Sequence, residues 1–180
     1  MALPKLLLHA CCAPCAPHVY ELLSGEYEVL LYFYNPNIFP EDEYNRRLEE
    51  LKRFCGEKDI PLIEGNYDKD KWAEAIKGFE EEPEGGKRCA KCFSLRLAET
   101  ARRAAGAGCS RFTTTLTVSP RKNAEVINRI GREAGERAGV EFLEENFKKK
   151  DGYKISCDLS HERGFYRQDY CGCEYSMRKK

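Results

Sequence analysis

Short apolar runs alternate with longer amphipathic stretches along most of the chain. Continuous apolar runs of this length are typical of strands buried in a parallel sheet, and apolar residues three or four positions apart are typical of helices. We predict strands over residues 5–8, 28–34, 61–63, 111–116 and 141–143. Helices are predicted over residues 19–23, 40–58, 67–79 and 93–107, and a further helix from Ser119. This alternation predicts an α/β fold, a doubly wound, mainly parallel sheet with helices on both faces.

The pattern changes at Asn146, where polar and aromatic residues begin to dominate and regular apolar spacing ends. We interpret the segment that follows as a cysteine-rich C-terminal extension. The chain has 180 residues, 42% of them hydrophobic, so we predict a single domain over 1–180. No stretch is apolar enough to span a membrane, and the first residues do not form a signal peptide. We therefore expect a cytoplasmic protein with no membrane partner.

Cysteine is unusually frequent, with ten residues in the chain. Cytoplasmic thiols are kept reduced, so these residues indicate metal binding or redox chemistry rather than a disulfide framework. Seven of them fall into three groups: Cys11, Cys12 and Cys15; Cys89 and Cys92; Cys171 and Cys173. The first group follows the first predicted strand, at the sheet edge where open α/β proteins bind ligands. The other three are expected to be small buried side chains: Cys55, Cys109 and Cys157.

Each group has a feature that suits metal ligation. The Cys-x-x-Cys motif of the second group precedes a predicted helix, whose N-terminus would stabilise thiolates. The glycine between the two thiols of the third group permits a sharp turn. Neighbouring side chains normally point apart, so we expect the adjacent pair Cys11–Cys12 to serve two partners or two metal atoms rather than one.

Three kinds of protein would use these thiols differently. A [4Fe-4S] cluster takes four thiolates and leaves the others for a neighbouring metal with an open coordination position. A zinc site built from the second and third groups would stabilise a non-catalytic RNA-binding module, but it leaves the first group without a role. A thiol-disulfide oxidoreductase would use Cys12-x-x-Cys15 and would need no metal.

Six motifs lie in order along nearly the whole chain. They are His9-Ala-Cys-Cys-Ala-Pro-Cys15, Tyr32-Phe-Tyr-Asn-Pro-Asn-Ile38, Tyr67-Asp68 with Trp72, Arg88-Cys-Ala-Lys-Cys-Phe93, Thr114-Thr-Leu-Thr-Val-Ser-Pro120 with Lys122, and Tyr166-Arg-Gln-Asp-Tyr-Cys-Gly-Cys173. Together they resemble the QueH-type epoxyqueuosine reductases. The resemblance implies reductive removal of the epoxide oxygen of epoxyqueuosine at the wobble position of tRNA. It also implies an adenine-nucleotide α-hydrolase-like fold with cysteines in place of the phosphate loop, so ATP is not expected.

The resemblance further implies a [4Fe-4S] cluster beside a mononuclear iron, without cobalamin. The thiols that it selects as metal ligands are Cys11, Cys12, Cys89, Cys92, Cys171 and Cys173. It does not divide them between cluster and iron, and it leaves Cys15 without an assigned role. Our hypothesis is that the iron polarises the epoxide oxygen, while the cluster passes on electrons from an unidentified low-potential donor.

Two residues are candidates for proton transfer. Asp158 precedes the aromatic C-terminal stretch and could donate a proton or offer an oxygen ligand. His9 is the other candidate because histidine titrates near neutrality, and His161 is a weaker one. The alternatives are a solvated carboxylate at Asp158 and a histidine that only positions its neighbours.

Any binding of tRNA has to rely on a local surface. Lys plus Arg and Asp plus Glu both number 30, so the whole chain does not attract a polyanion. Loop bases stack on aromatic side chains while basic residues contact phosphates. The C-terminal third offers both, with a basic run at 148–150 and another at 178–180. The predicted tRNA contacts are Lys148, Lys149, Tyr166, Arg167 and Tyr175.

Overall fold

Five parallel strands form one sheet in the order β3-β2-β1-β4-β5. The structure is a computed structural model that describes residues 2–177. The strands are β1 (Lys5–His9), β2 (Glu28–Phe33), β3 (Leu62–Glu64), β4 (Arg111–Thr114) and β5 (Glu141–Phe142). The chain moves outward from β1 to β3 and then returns to the other side of β1. This order confirms the predicted doubly wound parallel sheet.

Within residues 2–177, six α-helices accompany the sheet. They are α1 (Ala16–Leu23), α2 (Glu41–Glu57), α3 (Lys69–Ile76), α4 (Lys87–Gly106), α5 (Ala124–Ala138) and α6 (Gly152–Glu162). None of the helices within residues 2–177 combines the length and the apolar character needed to cross a membrane.

The central strand β1 is buried on both faces. Leu6 and Leu8 pack in one core with side chains of α1 and α2, whereas Leu7 packs in a second core with side chains of α4 and α5. Successive strand side chains point to opposite faces of a sheet, so helices on both sides require a continuous apolar run. This is why the alternating pattern of a half-exposed strand is absent from β1.

Two helix starts differ from the predictions by five residues or more. α4 begins at Lys87 rather than at residue 93, so the Cys-x-x-Cys motif lies inside its first two turns. α5 begins at Ala124 rather than at Ser119. The reason is the cap, because Oδ1 of Asn123 accepts hydrogen bonds from the N–H groups of Glu125 at 2.9 Å and Val126 at 3.2 Å.

The C-terminal extension contains α6, a helix that the apolar pattern did not predict. Its buried residues are Gly152, Ser156 and Ser160, whereas Tyr153 and Ile155 are exposed and Leu159 is half-buried. Small polar residues produce no apolar periodicity, so this helix left no signal in the sequence. They also let α6 lie against α1 and the turn at residues 13–15.

Gly135 of α5 has no room for a side chain. A Cβ added there would collide with the carbonyl oxygen of Val140 and lie 3.2 Å from the ring of Phe112. We expect Gly135→Ala to lower the melting temperature by about 2–10 °C, since overpacking costs about 1–3 kcal/mol. Thermal unfolding followed by circular dichroism measures the change.

Gly56 of α2 offers a matched control, because nothing lies within 4 Å of a Cβ added there. Gly56→Ala should leave the melting temperature unchanged or raise it slightly, since alanine favours helix over glycine. Equal shifts in both variants would contradict the packing argument.

Candidate metal centre

The first cysteine group lies at the carboxyl end of β1, where the winding of the sheet reverses. After Cys12 the chain makes a 3-10 turn, Ala13–Cys15, which leads directly into α1. The sulfur atoms of Cys11, Cys12 and Cys15 all lie within 4.8 Å of one another. We call these three residues the thiol triad. Three sulfur atoms at such separations can bind a single metal ion.

The expectation that Cys11 and Cys12 point apart is wrong, because their Sγ atoms are 3.7 Å apart. Thr115, which follows β4, holds Cys11 in this orientation. Its Oγ1 accepts a hydrogen bond from the N–H of Cys11 at 3.1 Å and donates one to the Cys11 Sγ at 3.2 Å. The adjacent thiols can therefore face one ion together.

Hydrogen bonds inside the triad concentrate negative charge on Cys11. The pKa of Cys11 lies well below its usual value, because the thiols of Cys12 and Cys15 donate to its sulfur. The same bonds, together with burial, raise the pKa of Cys12 to about 12 and raise that of Cys15. Cys11 is therefore the most acidic thiol of the triad, and a metal must displace the thiol protons that remain when it binds.

The structure brings the other two cysteine groups of the sequence together. We call these four residues, Cys89, Cys92, Cys171 and Cys173, the second thiol group. Cys92 and Cys173 pack together in a small buried cluster with Trp72. Burial raises the pKa of Cys89 and of Cys92, and the proximity of the Cys171 thiol raises both further. Cys171 also lines a cavity with all three residues of the triad, so the structure brings the seven predicted thiols into one region.

Arg47 of α2 anchors the segment that carries Cys171. The side chain of Arg47 is only 2% exposed and forms an ion pair with Glu43 at 2.7 Å. Its Nη1 donates to the carbonyl oxygen of Cys171 at 2.9 Å, and its Nη2 donates to that of Tyr170 at 3.3 Å. These bonds attach the C-terminal ligands to the sheet domain.

Gly172 allows the two neighbouring thiols to approach the domain closely. Its φ of 140° is a conformation that favours glycine, and an added Cβ would lie 3.1 Å from Arg47 and 3.1 Å from Asn37. The carbonyl oxygen of Gly172 accepts a hydrogen bond from the N–H of Phe39 at 2.8 Å. The expected role of this glycine in a sharp turn is confirmed.

A cavity of about 310 Å³ opens beside the thiol triad. Its wall includes the buried side chain of Arg96, the half-buried side chain of Lys122, and four residues of α6: Tyr153, Ser156, Cys157 and Ser160. Cys55 and Cys109 are buried as predicted, but Cys157 is only half-buried. The Cys157 sulfur accepts a hydrogen bond from Nη2 of Arg167 at 3.3 Å, because α6 turns this residue toward the cavity.

His9 is fully buried and uses both ring nitrogens within the protein. Nε2 donates to the carbonyl oxygen of Tyr34 at 3.0 Å, and Nδ1 accepts from Oγ1 of Thr114 at 2.8 Å in the neutral form of the ring. Burial, with the nearby charge of Arg96, lowers the pKa of His9 to about 3. These contacts favour a positioning role over proton donation.

The other candidate acids lie away from the thiols. Asp158 is exposed on α6 and is not part of the cavity wall. His161 is also exposed, and its Nε2 accepts a hydrogen bond from Arg167 at 2.7 Å. A catalytic role for Asp158 stays a prediction.

The basic residues predicted to contact tRNA differ in the exposure of their side chains. Arg167 is exposed in the cavity wall, and Lys149 is exposed. Lys148 is half-buried, and its Nζ donates to the carbonyl oxygen of Lys122 at 3.0 Å. The predicted basic run at 178–180 lies outside the described residues.

The two predicted stacking tyrosines already have cationic neighbours. The guanidinium carbon of Arg46 lies 3.4 Å from the ring centre of Tyr166, and that of Arg88 lies 5.1 Å from the ring centre of Tyr175. The tyrosine that is both exposed and in the cavity wall is Tyr153, at 44% exposure. Tyr153 follows the basic run at 148–150 in the sequence, but its orientation toward the cavity depends on helix α6, which the apolar pattern did not predict.

Arg96 and Lys122 were not selected as site residues from the sequence. A signal for Arg96 existed, since it lies on the apolar stripe of α4 together with Cys92, Phe93 and Thr100. A charged residue on such a stripe is unusual. Lys122 was visible within a family motif, but nothing local marked it as facing the thiols.

The surroundings of the second thiol group fit a sulfur-bound metal cluster. The indole N–H of Trp72 lies near the thiol of Cys92 without forming a well-aligned hydrogen bond to it. Neither this N–H nor the Nε–H of Arg96 has a hydrogen-bond partner among residues 2–177. Buried donors are normally paired, so an acceptor is missing here. Cysteine thiolates are the ligands of iron-sulfur clusters, and hydrogen bonds to cluster sulfurs are common. The donors and the thiols together fit such a group.

Comparison with known proteins identifies the family. The family model for epoxyqueuosine reductase QueH matches residues 6–179. The chain belongs to the QueH family. A relative named epoxyqueuosine reductase QueH from Acinetobacter baylyi is 43% identical over 176 residues, which cover 97% of this chain and 81% of the relative. One of the same name from Streptococcus pyogenes serotype M1 is 38% identical over 181 residues, covering 97% and 71% of the two chains.

A solved structure shares the fold of this QueH family member. It is the U34-tRNA thiolase NcsA from Methanococcus maripaludis with its [4Fe-4S] cluster, with a TM-score of 0.62 and 14% sequence identity. The match covers 99% of this chain and 63% of the thiolase chain. At this identity the likeness concerns the fold alone, and it agrees with the predicted α/β fold.

The anchoring role of Arg47 can be tested by substitution. Removing one partner of a buried ion pair costs about 3–5 kcal/mol, so Arg47→Gln should release the segment that carries Cys171. We expect the metal retained per chain after anaerobic gel filtration to fall by about half or more, because correct ligand placement governs metal affinity. Elemental analysis measures this content.

Arg53→Gln serves as the matched control, because Arg53 lies on the same helix with its side chain 41% exposed in surface ion pairs. Such pairs contribute about 0–1 kcal/mol, so this variant should keep its metal. Full metal content in Arg47→Gln would contradict the anchoring role.

Proposed function

We propose that this chain removes the epoxide oxygen from epoxyqueuosine at the wobble position of tRNA and thereby forms queuosine. The observation that carries the chemistry is the convergence of seven thiols in one region, where four of them line one cavity: Cys11, Cys12, Cys15 and Cys171. In the reaction, both carbon–oxygen bonds of the epoxide break and a carbon–carbon double bond forms. The ring takes up two electrons, and the oxygen leaves as water after gaining two protons. The site must therefore supply electrons, polarise an oxygen and exclude competing acceptors.

The thiols are proposed to hold a [4Fe-4S] cluster and a mononuclear iron. Cys11, Cys12, Cys89, Cys92, Cys171 and Cys173 are the proposed ligands, and the place of Cys15 in the triad adds it to this set. Seven thiols exceed the four that a cluster takes, which supports a second metal beside it. When bound, such a pair supplies single electrons and a Lewis acid. The proposal includes neither cobalamin nor ATP, and it requires an external low-potential electron donor.

The rest of the cavity wall is proposed to hold the modified base. The volume of about 310 Å³ is within the range of small-molecule sites. Ser156, Ser160 and Tyr153 of α6 place hydroxyl groups on the wall, which suits a substrate ring that carries hydroxyl groups. Because α6 covers the turn at residues 13–15, it also keeps bulk water from the triad. His9 holds the ends of β1 and β4 together, so Cys11 keeps its orientation.

The anticodon loop is proposed to bind at the mouth of the cavity. Arg121 and Arg167 are exposed in its wall, and Tyr153 offers an aromatic face next to them. Basic side chains contact phosphates and aromatic rings stack with unpaired bases. Lys149 extends the same basic surface, while the packed ring of Tyr166 is proposed to support the neighbouring Arg167 rather than to stack with a base.

The assignment of the thiols predicts a sharp contrast between two cysteine variants. Cys89→Ser should lower the formation of queuosine by about 100-fold or more, because a ligand contributes at least as much as the groups that orient it. Cys55→Ser should retain activity, since Cys55 is 4% exposed in the core between α2 and the sheet. Digestion of tRNA and mass spectrometry, under a low-potential chemical reductant, measures the product.

The metal content separates this proposal from its rivals. Iron with acid-labile sulfide is expected in the anaerobically purified protein. Zinc alone would favour an RNA-binding module, and reduction of general disulfides without metal would favour a thiol-disulfide oxidoreductase. Full activity in Cys89→Ser would overturn the ligand assignment.

The proposed tRNA surface predicts a change in salt dependence. Arg167→Ala should weaken tRNA binding and lower the slope of log affinity against log salt concentration by about one, as expected for one lost phosphate contact. Arg163→Ala is the control, because Arg163 forms an ion pair with Glu57 at 3.2 Å. Filter binding at several salt concentrations measures both slopes, and an unchanged slope in Arg167→Ala would exclude this contact.

A further inference from the structure

Arg96 is a buried cation without a carboxylate partner. Its side chain is among the largest in the protein that are less than 2% exposed. Nη2 donates to Oδ1 of Asn35 at 2.5 Å, Nη1 donates to Sγ of Cys92 at 3.8 Å, and Nε has no partner. Among residues 2–177 it forms no salt bridge with Asp or Glu. A buried guanidinium in neutral surroundings is strongly unfavourable, so a negative charge is required here.

A second cation lies on the same cavity. Lys122 is half-buried and lines the cavity together with Arg96, Cys11 and Cys171. Within the described part of the chain, its ammonium group also lacks a salt bridge. The two carboxylates of the cavity wall, Glu84 and Asp169, are exposed and form no ion pair with either cation. The remaining anionic groups are the thiolates, because thiols lose their protons when they bind a metal.

Arg96 also connects the two sets of thiols through hydrogen bonds. On one side it donates to Cys92 of the second thiol group. On the other side it binds Asn35, whose Nδ2 donates to the carbonyl oxygen of Ala10 at 3.0 Å. Ala10 directly precedes Cys11 of the triad. The guanidinium is thus held rigidly between the two groups, where its charge acts on any metal bound by either.

A thiolate-bound iron-sulfur cluster is negatively charged, and reduction adds one more electron to it. A positive charge fixed beside the cluster stabilises the reduced form more than the oxidised form, and a hydrogen bond to a ligand sulfur acts in the same direction. A buried site strengthens both effects, since the local dielectric constant is low.

We propose that Arg96 is a positioning residue that supplies the counter-charge between the two thiol groups and thereby raises the reduction potential of the metal centre. The identity of that centre rests on the proposed function. This role explains why a costly charge is buried here. The positive charge of Arg96 compensates the electron that the low-potential donor adds to the cluster.

The test compares Arg96→Gln with Arg96→Lys in the iron-loaded protein. Anaerobic redox titration followed by electron paramagnetic resonance measures the potential, and iron and sulfide analysis measures loading. Arg96→Gln removes the charge, so we expect its ratio of reduced to oxidised cluster, at one fixed solution potential, to fall by about tenfold. Arg96→Lys keeps the charge and should lie closer to the unmodified protein.

Each outcome decides the question. If Arg96→Gln retains no cluster while Arg96→Lys does, the charge is required for binding, which supports the proposal. If both variants lose the cluster equally, or if Arg96→Gln keeps an unshifted potential, the role of Arg96 is structural and the proposal is wrong.

Arg163→Gln controls for the loss of a half-buried guanidinium that contacts no thiol, and it should leave the potential unchanged. Iron absent from the unmodified protein would instead refute the proposed function. The two failures are therefore distinguishable.

Discussion

The hydrogen bonds from Arg47 to residues 170 and 171 are the interaction on which the rest of the site depends. They join α2 to a segment that lies 124 residues further along the chain. Without them the C-terminal thiols would belong to a tail, and the sheet domain would hold only the triad and the Cys-x-x-Cys motif. Closing so long a loop costs conformational entropy. The buried ion pair with Glu43 and the close fit at Gly172 offset that cost.

The same region places unfavourable groups together, which is typical of functional sites. Three thiols of the triad share a small volume, a neutral histidine lies beneath them, and a guanidinium is buried beside them. A chain selected only for stability would place apolar side chains here. A bound metal resolves the conflict, because it removes thiol protons and converts neutral sulfur atoms into the anions that Arg96 and Lys122 lack.

The sequence predicted the sheet well because a parallel strand buried on both faces gives a continuous apolar run. The run at Leu6, Leu7 and Leu8 has no other simple interpretation. It also indicated which thiols lie close together, because clustered cysteines are rare. It did not predict α6, whose buried face is formed by glycine and serine, and it therefore missed the contribution of Tyr153 and Cys157 to the cavity.

What the sequence could not predict is which side chains meet across the fold. Cys11 and Cys12 face the same point because Thr115 holds Cys11 in place through two hydrogen bonds. Thr115 directly follows β4, the strand that pairs with β1. In the sequence, the contacts of Arg96 cannot be distinguished from those of an arginine on the surface of a helix. In the structure, its hydrogen bond to Asn35 connects it to Ala10 in the turn after β1. Both arrangements depend on β1 lying between β2 and β4, so that the residues following all three strands converge. The topology of the sheet therefore determines the electrostatics of the thiols, and the cysteine motifs supply only the thiols themselves.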